Sequence, residues 1–349
     1  MDDPKRPVPH HRVQKRRSDG SPRIGDRLMI CDDRFPKALP YLVMLLVATT
    51  AFLPASGHGA ETTGAATSVP KAFSSPEQAA KALADAAMEE DDRTLVTVLG
   101  PGSESLVRSG DAVADRVSRK RFLGKFHEAH RIDEVSAGRA VLTVGKEEWP
   151  FPIPIVKKNS GWVFDTAEGK EEVLDRRIGR NELATVQVML AIVDAQREYA
   201  MKDRDGDMIL EYAQKFWSDP GKRDGLYWET REGQEQSPLG LLAASAMEEG
   251  YVRRQAGEGP APYHGYFFRM LKAQGKNAPA GAYDYLVKGK MIGGFAVVAY
   301  PSQYGNSGIM TFLVNHGGIV YEKDLGSGTE ATVKGMTKFD PDKDWRRVE

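Results

Sequence analysis

The rhythm of apolar and polar positions changes several times along the 349-residue chain, and each change marks an element. Between Val186 and Ala195 apolar side chains take up almost the whole circumference of a helical projection. Gln187, Asp194 and Glu198 remain as one narrow polar seam. This predicts a helix opening near Asn181 that is covered on several sides, a central buried element rather than a surface one. Upstream, Ser75-Pro76 followed by an Ala/Leu-rich stretch reads as a capped helix, and residues 111–131 read as a second. Val113, Val117, Phe122 and Phe126 form the apolar stripe of that second helix. Residues 140–144 and 149–165 then turn to strand chemistry. In the run from Trp149 to Val156 three prolines alternate with apolar residues, so the segment reads as an edge strand or an extended polyproline-like run. Beyond residue 260, aromatic and β-branched runs separated by glycine-rich turns predict an antiparallel meander.

The expected fold class is therefore α+β: an N-terminal cone-like domain of helices and curved sheet, a central buried helix and a C-terminal meander. The boundaries read as 1–60 targeting segment, 61–74 flexible leader rich in small residues, 75–168 N-terminal α+β domain, and 169–349 central helix plus C-terminal domain.

Composition changes this picture at the front of the chain. Arg23, Arg27, Arg34 and Lys37 precede an apolar run from Ala38 to Leu53, and small residues follow. That order is a secretory signal, which places the mature chain in the periplasm or outside the cell. The alternative is an uncleaved anchor, but the run is shorter than the ~20 residues of a spanning helix, so no stable span is expected after signal removal. The single cysteine, Cys31, lies ahead of the apolar run, so the exported part would rely on its core rather than on disulfides. A net charge of −1 gives no case for nucleic acid. An envelope or self-assembly partner is the remaining class.

The candidate chemistry sits directly after the central helix. Asp203, Asp205, Asp207 and Glu211 place four carboxylates within nine residues, and the first three fit positions one, three and five of a calcium loop. Three residues depart from that pattern. Met208 stands where a glycine is wanted, Gly206 falls two positions early, and Gln214 replaces the bidentate glutamate. The competing reading is a solvated acidic loop neutralised by Lys202, Arg204 and Lys215. Calcium is the one cofactor the sequence suggests. For catalysis there is no nucleophile elbow, metalloprotease helix or phosphate loop. His264 with Asp284 is the candidate acid–base pair of a hydrolase, with Lys222 as a candidate anion contact. A hydrogen-bonded core histidine is the competing reading.

Ordered strings extend over most of the mature region, among them residues 74–83, 149–166, 176–200, 262–271, 281–301 and 311–326. On these the chain resembles an exported bacterial family catalogued as domain of unknown function 2950. The resemblance implies export and extent, and no activity. It also implies a glycine at position 208, where this chain has Met208. The two-helices-then-strands order of residues 75–168 resembles the cone-shaped folds of nuclear-transport-factor-like proteins. Residues 181–325 more faintly resemble the soluble heads of pilin-type proteins, which implies an assembly component. The sequence as a whole points to a non-catalytic envelope module, with the periplasmic hydrolase and the pilin-like component as alternatives.

Overall fold

A computed structural model describes residues 70–252 and 260–348. The expected signal, and the expected leader as far as residue 69, lie outside the described residues. Four helices open the described chain. α1 (Pro76–Met88) starts where Ser75 Oγ accepts the Gln78 amide at 3.3 Å, with Pro76 in the first turn, and it buries its alanine face with Leu83. α2 (Asp92–Leu99) is capped by Asp91 and ends at Gly100. α3 (Glu104–Val107) is a single turn. α4 (Ala112–Glu128) is capped by Asp111. Of its expected stripe only Phe126 is fully buried, and Val113, Val117 and Phe122 are half-buried.

A sheet follows in the order β1-β2-β4-β5, built from β1 (His130–Ser136), β2 (Arg139–Val144), β4 (Ile155–Lys158) and β5 (Gly161–Phe164); the short β3 (Trp149–Pro150) also pairs with β2. β1 carries mostly polar, exposed residues and so gives no alternation to read in the sequence. The proline-rich run is an edge only at its first end, β3, which pairs with β2 alone, whereas β4 is paired on both sides. Its two ends both pair with β2, and β5 covers the far side of β4. Pro152 and Pro154, which have no N–H to donate, fall in the gap between those pairings. Leu142, Ile153, Ile155 and Phe164 close the first core against α1.

The central helix α5 (Thr166–Tyr199) runs for 34 residues, so it opens well before Asn181 and the expected 168/169 boundary lies inside it. Gly169 makes the close approach that allows this. A Cβ there would sit 2.6 Å from Ile153 Cα. Val173 and Leu174 pack on the first core, whereas Val188, Met189, Ile192, Val193 and Tyr199 enter a second.

That second core is built on the antiparallel sheet β6-β11-β12-β13-β14, formed by β6 (Tyr266–Leu271), β11 (Ala296–Pro301), β12 (Met310–Asn315), β13 (Val320–Asp324) and β14 (Arg346–Arg347). Between β6 and β11 lie two small hairpins. β7 (Ala273–Gln274) pairs with β8 (Tyr283–Asp284), and β9 (Leu286–Val287) pairs with β10 (Lys290–Met291). α6 (Gly240–Glu249) stands before β6. α7 (Thr329–Gly335), seven residues between glycine-rich turns, was hidden among the strand-like runs. The chain is thus α+β with an antiparallel meander, as its periodicities predict. Among the described residues no helix is long and apolar enough to cross a membrane.

Polar contacts along α5 tie the elements of the two cores together. Arg177 donates to the Ser105 carbonyl at 2.8 Å, to Asn306 Oδ1 at 2.5 Å and to the Leu106 carbonyl. Asn181 donates to the Ser307 carbonyl at 2.9 Å. Gln196, fully buried, exchanges two hydrogen bonds with the backbone of Ala213 at 2.8 and 2.9 Å and so fixes the chain as it leaves the acidic loop.

Candidate functional site

The loop after α5 winds around its first carboxylate. Asp203 accepts the backbone N–H groups of Asp205, Gly206 and Met208 at 3.2, 2.7 and 2.8 Å. These bonds, that of Met208 foremost, hold the Asp203 carboxyl below the usual range. Gly206 and Met208 both have positive φ, 81° and 67°. Met208 therefore takes up the left-handed conformation in which its family resemblance implies a glycine, and its side chain is 92% exposed. The result brings one oxygen from each of Asp203, Asp205 and Asp207 within 4.8 Å of one another.

The expected neutralising bases are not the ones that answer this charge. Lys202 and Arg204 both bind Glu235, at 2.5 and 2.9 Å, and Lys215 binds Asp219 and Asp224 at 2.7 and 2.8 Å. Arg204 is held away from the loop because its guanidinium lies over the Tyr199 and Trp228 rings, at 5.5 and 5.3 Å. The cation of the loop is Lys290, from β10, 79 or more residues further along the chain. Its ammonium reaches Asp205, Asp207 Oδ2 at 2.6 Å and Glu211 Oε1 at 3.1 Å. One ammonium has three N–H donors, and here each meets a different carboxylate. The Lys290 bond is the chief reason the Asp207 carboxyl is held down, and the three carboxylates together raise the lysine. The strand itself is clamped alongside: Glu211 Oε2 accepts the Met291 N–H at 3.1 Å, and Tyr212 N–H donates to the Met291 carbonyl at 2.9 Å. Glu211 thus stands with the loop carboxylates through Lys290. Nothing local in the sequence announces Lys290, since the pairing depends on how a distant two-residue strand is docked. Gln214 turns away, donating to the Gly289 carbonyl at 2.7 Å.

The proposed acid–base pair is not assembled. His264 lies before the first residue of β6, while Asp284 pairs with Ala273 beyond the last one. The length of β6 alone separates them by about 20 Å. Lys222 sits in a third place, in a turn with Asp219. His264 instead belongs to a polar cluster whose centre sequence reasoning missed. Asp111, 2% exposed, caps α4 through Oδ1, which accepts the Val113 and Ala114 amides at 3.1 and 3.0 Å. Its Oδ2 accepts the Tyr251 hydroxyl and the Gly265 N–H, both at 2.9 Å. The Tyr251 hydroxyl accepts the His264 N–H at 3.2 Å. The imidazole packs on the Tyr263 ring at 4.1 Å, with Glu249 Oε2 3.7 Å from its Nε2. Burial lowers the basicity of His264 and raises the Glu249 and Tyr251 pKa values, so the cluster favours neutral imidazole, carboxyl and phenol. The N-cap position of Asp111 was the only sequence signal for this cluster. His127 and His130 are both exposed near the end of α4, the second stacked on Phe126 at 3.9 Å. His316 buries an Nδ1 with no hydrogen-bond partner among the described residues.

The profile of the family described as "Protein of unknown function (DUF2950)" matches residues 70–348, and the chain belongs to that family. No curated protein and no solved structure matches. The likeness of residues 181–325 to pilin heads accordingly rests on sequence pattern alone.

Proposed function

We propose that the chain is an exported, non-catalytic envelope module whose acidic loop takes calcium in exchange for the Lys290 ammonium. One observation carries the reading: the loop is wound so that Asp203, Asp205 and Asp207 present oxygens within 4.8 Å of one another, with a cation already drawn to them. Calcium takes six to eight oxygens at 2.3–2.6 Å and tolerates irregular geometry. The three aspartates and Glu211 supply carboxylates, the Ile209 carbonyl stands at position seven of the loop, and water completes the shell. Two features keep the affinity modest, on the order of 0.1–1 mM, as in extracellular modules. Met208 must hold a positive φ, and the ion must displace an internal competitor. Magnesium, which demands a tight octahedron, should substitute poorly. The order of basic, apolar and small residues supports export and a mature start between Gly57 and Thr63, which N-terminal sequencing of the secreted chain would check. Calcium titration by calorimetry tests the site. Saturable binding in the wild type that is lost in Asp205→Ala supports it, and equal heats for the two proteins would remove it.

A further inference from the structure

We infer a second binding site, for a small multiply charged oxyanion, in the cleft between the N-terminal turn of α2 and the first half of α4. The cleft encloses about 340 Å³, and four guanidinium groups line it: Arg93 from α2, Arg108 from the turn after α3, and Arg116 and Arg119 from α4. A volume near 300 Å³ is the lower end of small-molecule pockets, which sets the ligand's size.

Two of the three acidic residues of the cleft, Asp91 and Asp92, are already engaged. Asp91 caps α2, accepting the Arg93 N–H at 3.0 Å and the Thr94 hydroxyl at 3.1 Å. Asp92 holds Arg108 and Arg119, each at 2.9 Å, so it aims two of the four guanidinium groups. Arg93 and Arg116 take part in no ion pair among the described residues. The Arg116 guanidinium packs close to the glycine that ends α6, where an added Cβ at Gly250 would lie 2.7 Å from its Nη2. With Glu90 counted, four cations face three carboxylates, and the cation surplus lies with the two uncommitted arginines. Guanidinium forks match planar and tetrahedral oxyanions bidentately, and two free forks on opposing helices fit a ligand carrying more than one charge. Phosphoryl groups and clustered carboxylates share that chemistry.

The test is calorimetric titration of the whole chain in calcium-free buffer, at ionic strength fixed with potassium chloride. Sodium pyrophosphate is one probe and citrate the other. Saturable binding of either is expected, weakened at least tenfold in the Arg93→Gln/Arg116→Gln double variant and unchanged in Lys334→Gln, which alters a distant surface pair. A stronger response to pyrophosphate identifies a phosphoryl ligand, and a stronger response to citrate a carboxylate one. Melting in chloride alone confirms that the double variant is folded. Heats no larger than those of matched chloride, or a double variant that binds like the wild type, would overturn the assignment.

Discussion

Two places in this molecule concentrate carboxylate chemistry, and they treat it in opposite ways. Asp111 is buried, and four donors from three separate parts of the chain satisfy it: the first turn of α4, Tyr251 and Gly265. The loop carboxylates lie at the surface, with Asp205 48% exposed, and share one ammonium from a strand that only docks against them. A buried carboxylate whose partners are backbone N–H groups cannot exchange them without unfolding something, because each donor left unpaired costs about 1–3 kcal/mol. An exposed cluster that faces a single side-chain ammonium can exchange it for another cation at little cost. The first arrangement builds the molecule, and the second is the one proposed to bind.

The largest effect that sharpens this contrast is on stability. Asp111→Ala removes a helix cap and strands the Gly265 N–H, so denaturant unfolding should show a loss of about 3 kcal/mol. The same change at Asp205 should leave the denaturation midpoint almost where it was. A reversal of these two results would break the comparison. Gln196→Ala should resemble Asp111→Ala, since the amide and carbonyl of Ala213 lose their only side-chain partners, with an expected loss of about 2–3 kcal/mol.

A smaller effect concerns pH. Burial depresses the basicity of His264, so the stability it supports is complete above its unfolded value near 6.5 and is lost as pH falls through the folded one. Glu249 works in the other direction: its raised pKa gives support that is present below about 4.5 and is lost as pH rises through the folded value. The stability gap between wild type and His264→Gln should therefore narrow as pH drops below about 6.5. A gap that stays constant from pH 8 to 5 would show that the imidazole is not desolvated. The smallest expected effect is on the loop. Raising salt from 0.1 to 1 M should weaken the hold of Lys290 on its exposed carboxylates and leave the Asp111 cluster untouched. Protection of the Met291 amide against hydrogen exchange reports the first, and protection of the Gly265 amide the second.

Much of this was legible in the sequence, and the parts that were not share a cause. Periodicity is a local signal, so it revealed the apolar half of α5, the capped α1 and α4 and the meander. It missed β1, most of whose residues are polar, and α7, whose seven residues resemble their strand-forming surroundings. The acidic loop was legible because its carboxylates lie within nine residues. Its cation was not, because Lys290 reaches it through a two-residue strand whose docking no local pattern encodes. Because the Lys290 ammonium offsets the repulsion among these carboxylates, removing one of them should not stabilise the calcium-free chain. His264 and Asp284 looked like a pair only because each stood out among neighbours. The strand between them holds them apart, and the partner His264 does meet, Tyr251, also binds an aspartate 140 residues upstream of it.

The central claim is that Lys290 and calcium compete for the same oxygens. Calcium affinity of wild type and Lys290→Met, measured by calorimetry in the same buffer, tests it most directly. Removing the ammonium while keeping a side chain of similar length should lower the calcium Kd at least tenfold, with Asp205→Ala/Lys290→Met binding no calcium at all. An unchanged Kd in Lys290→Met, or no binding in either protein, would contradict the account and leave Lys290 as the permanent cation of the loop.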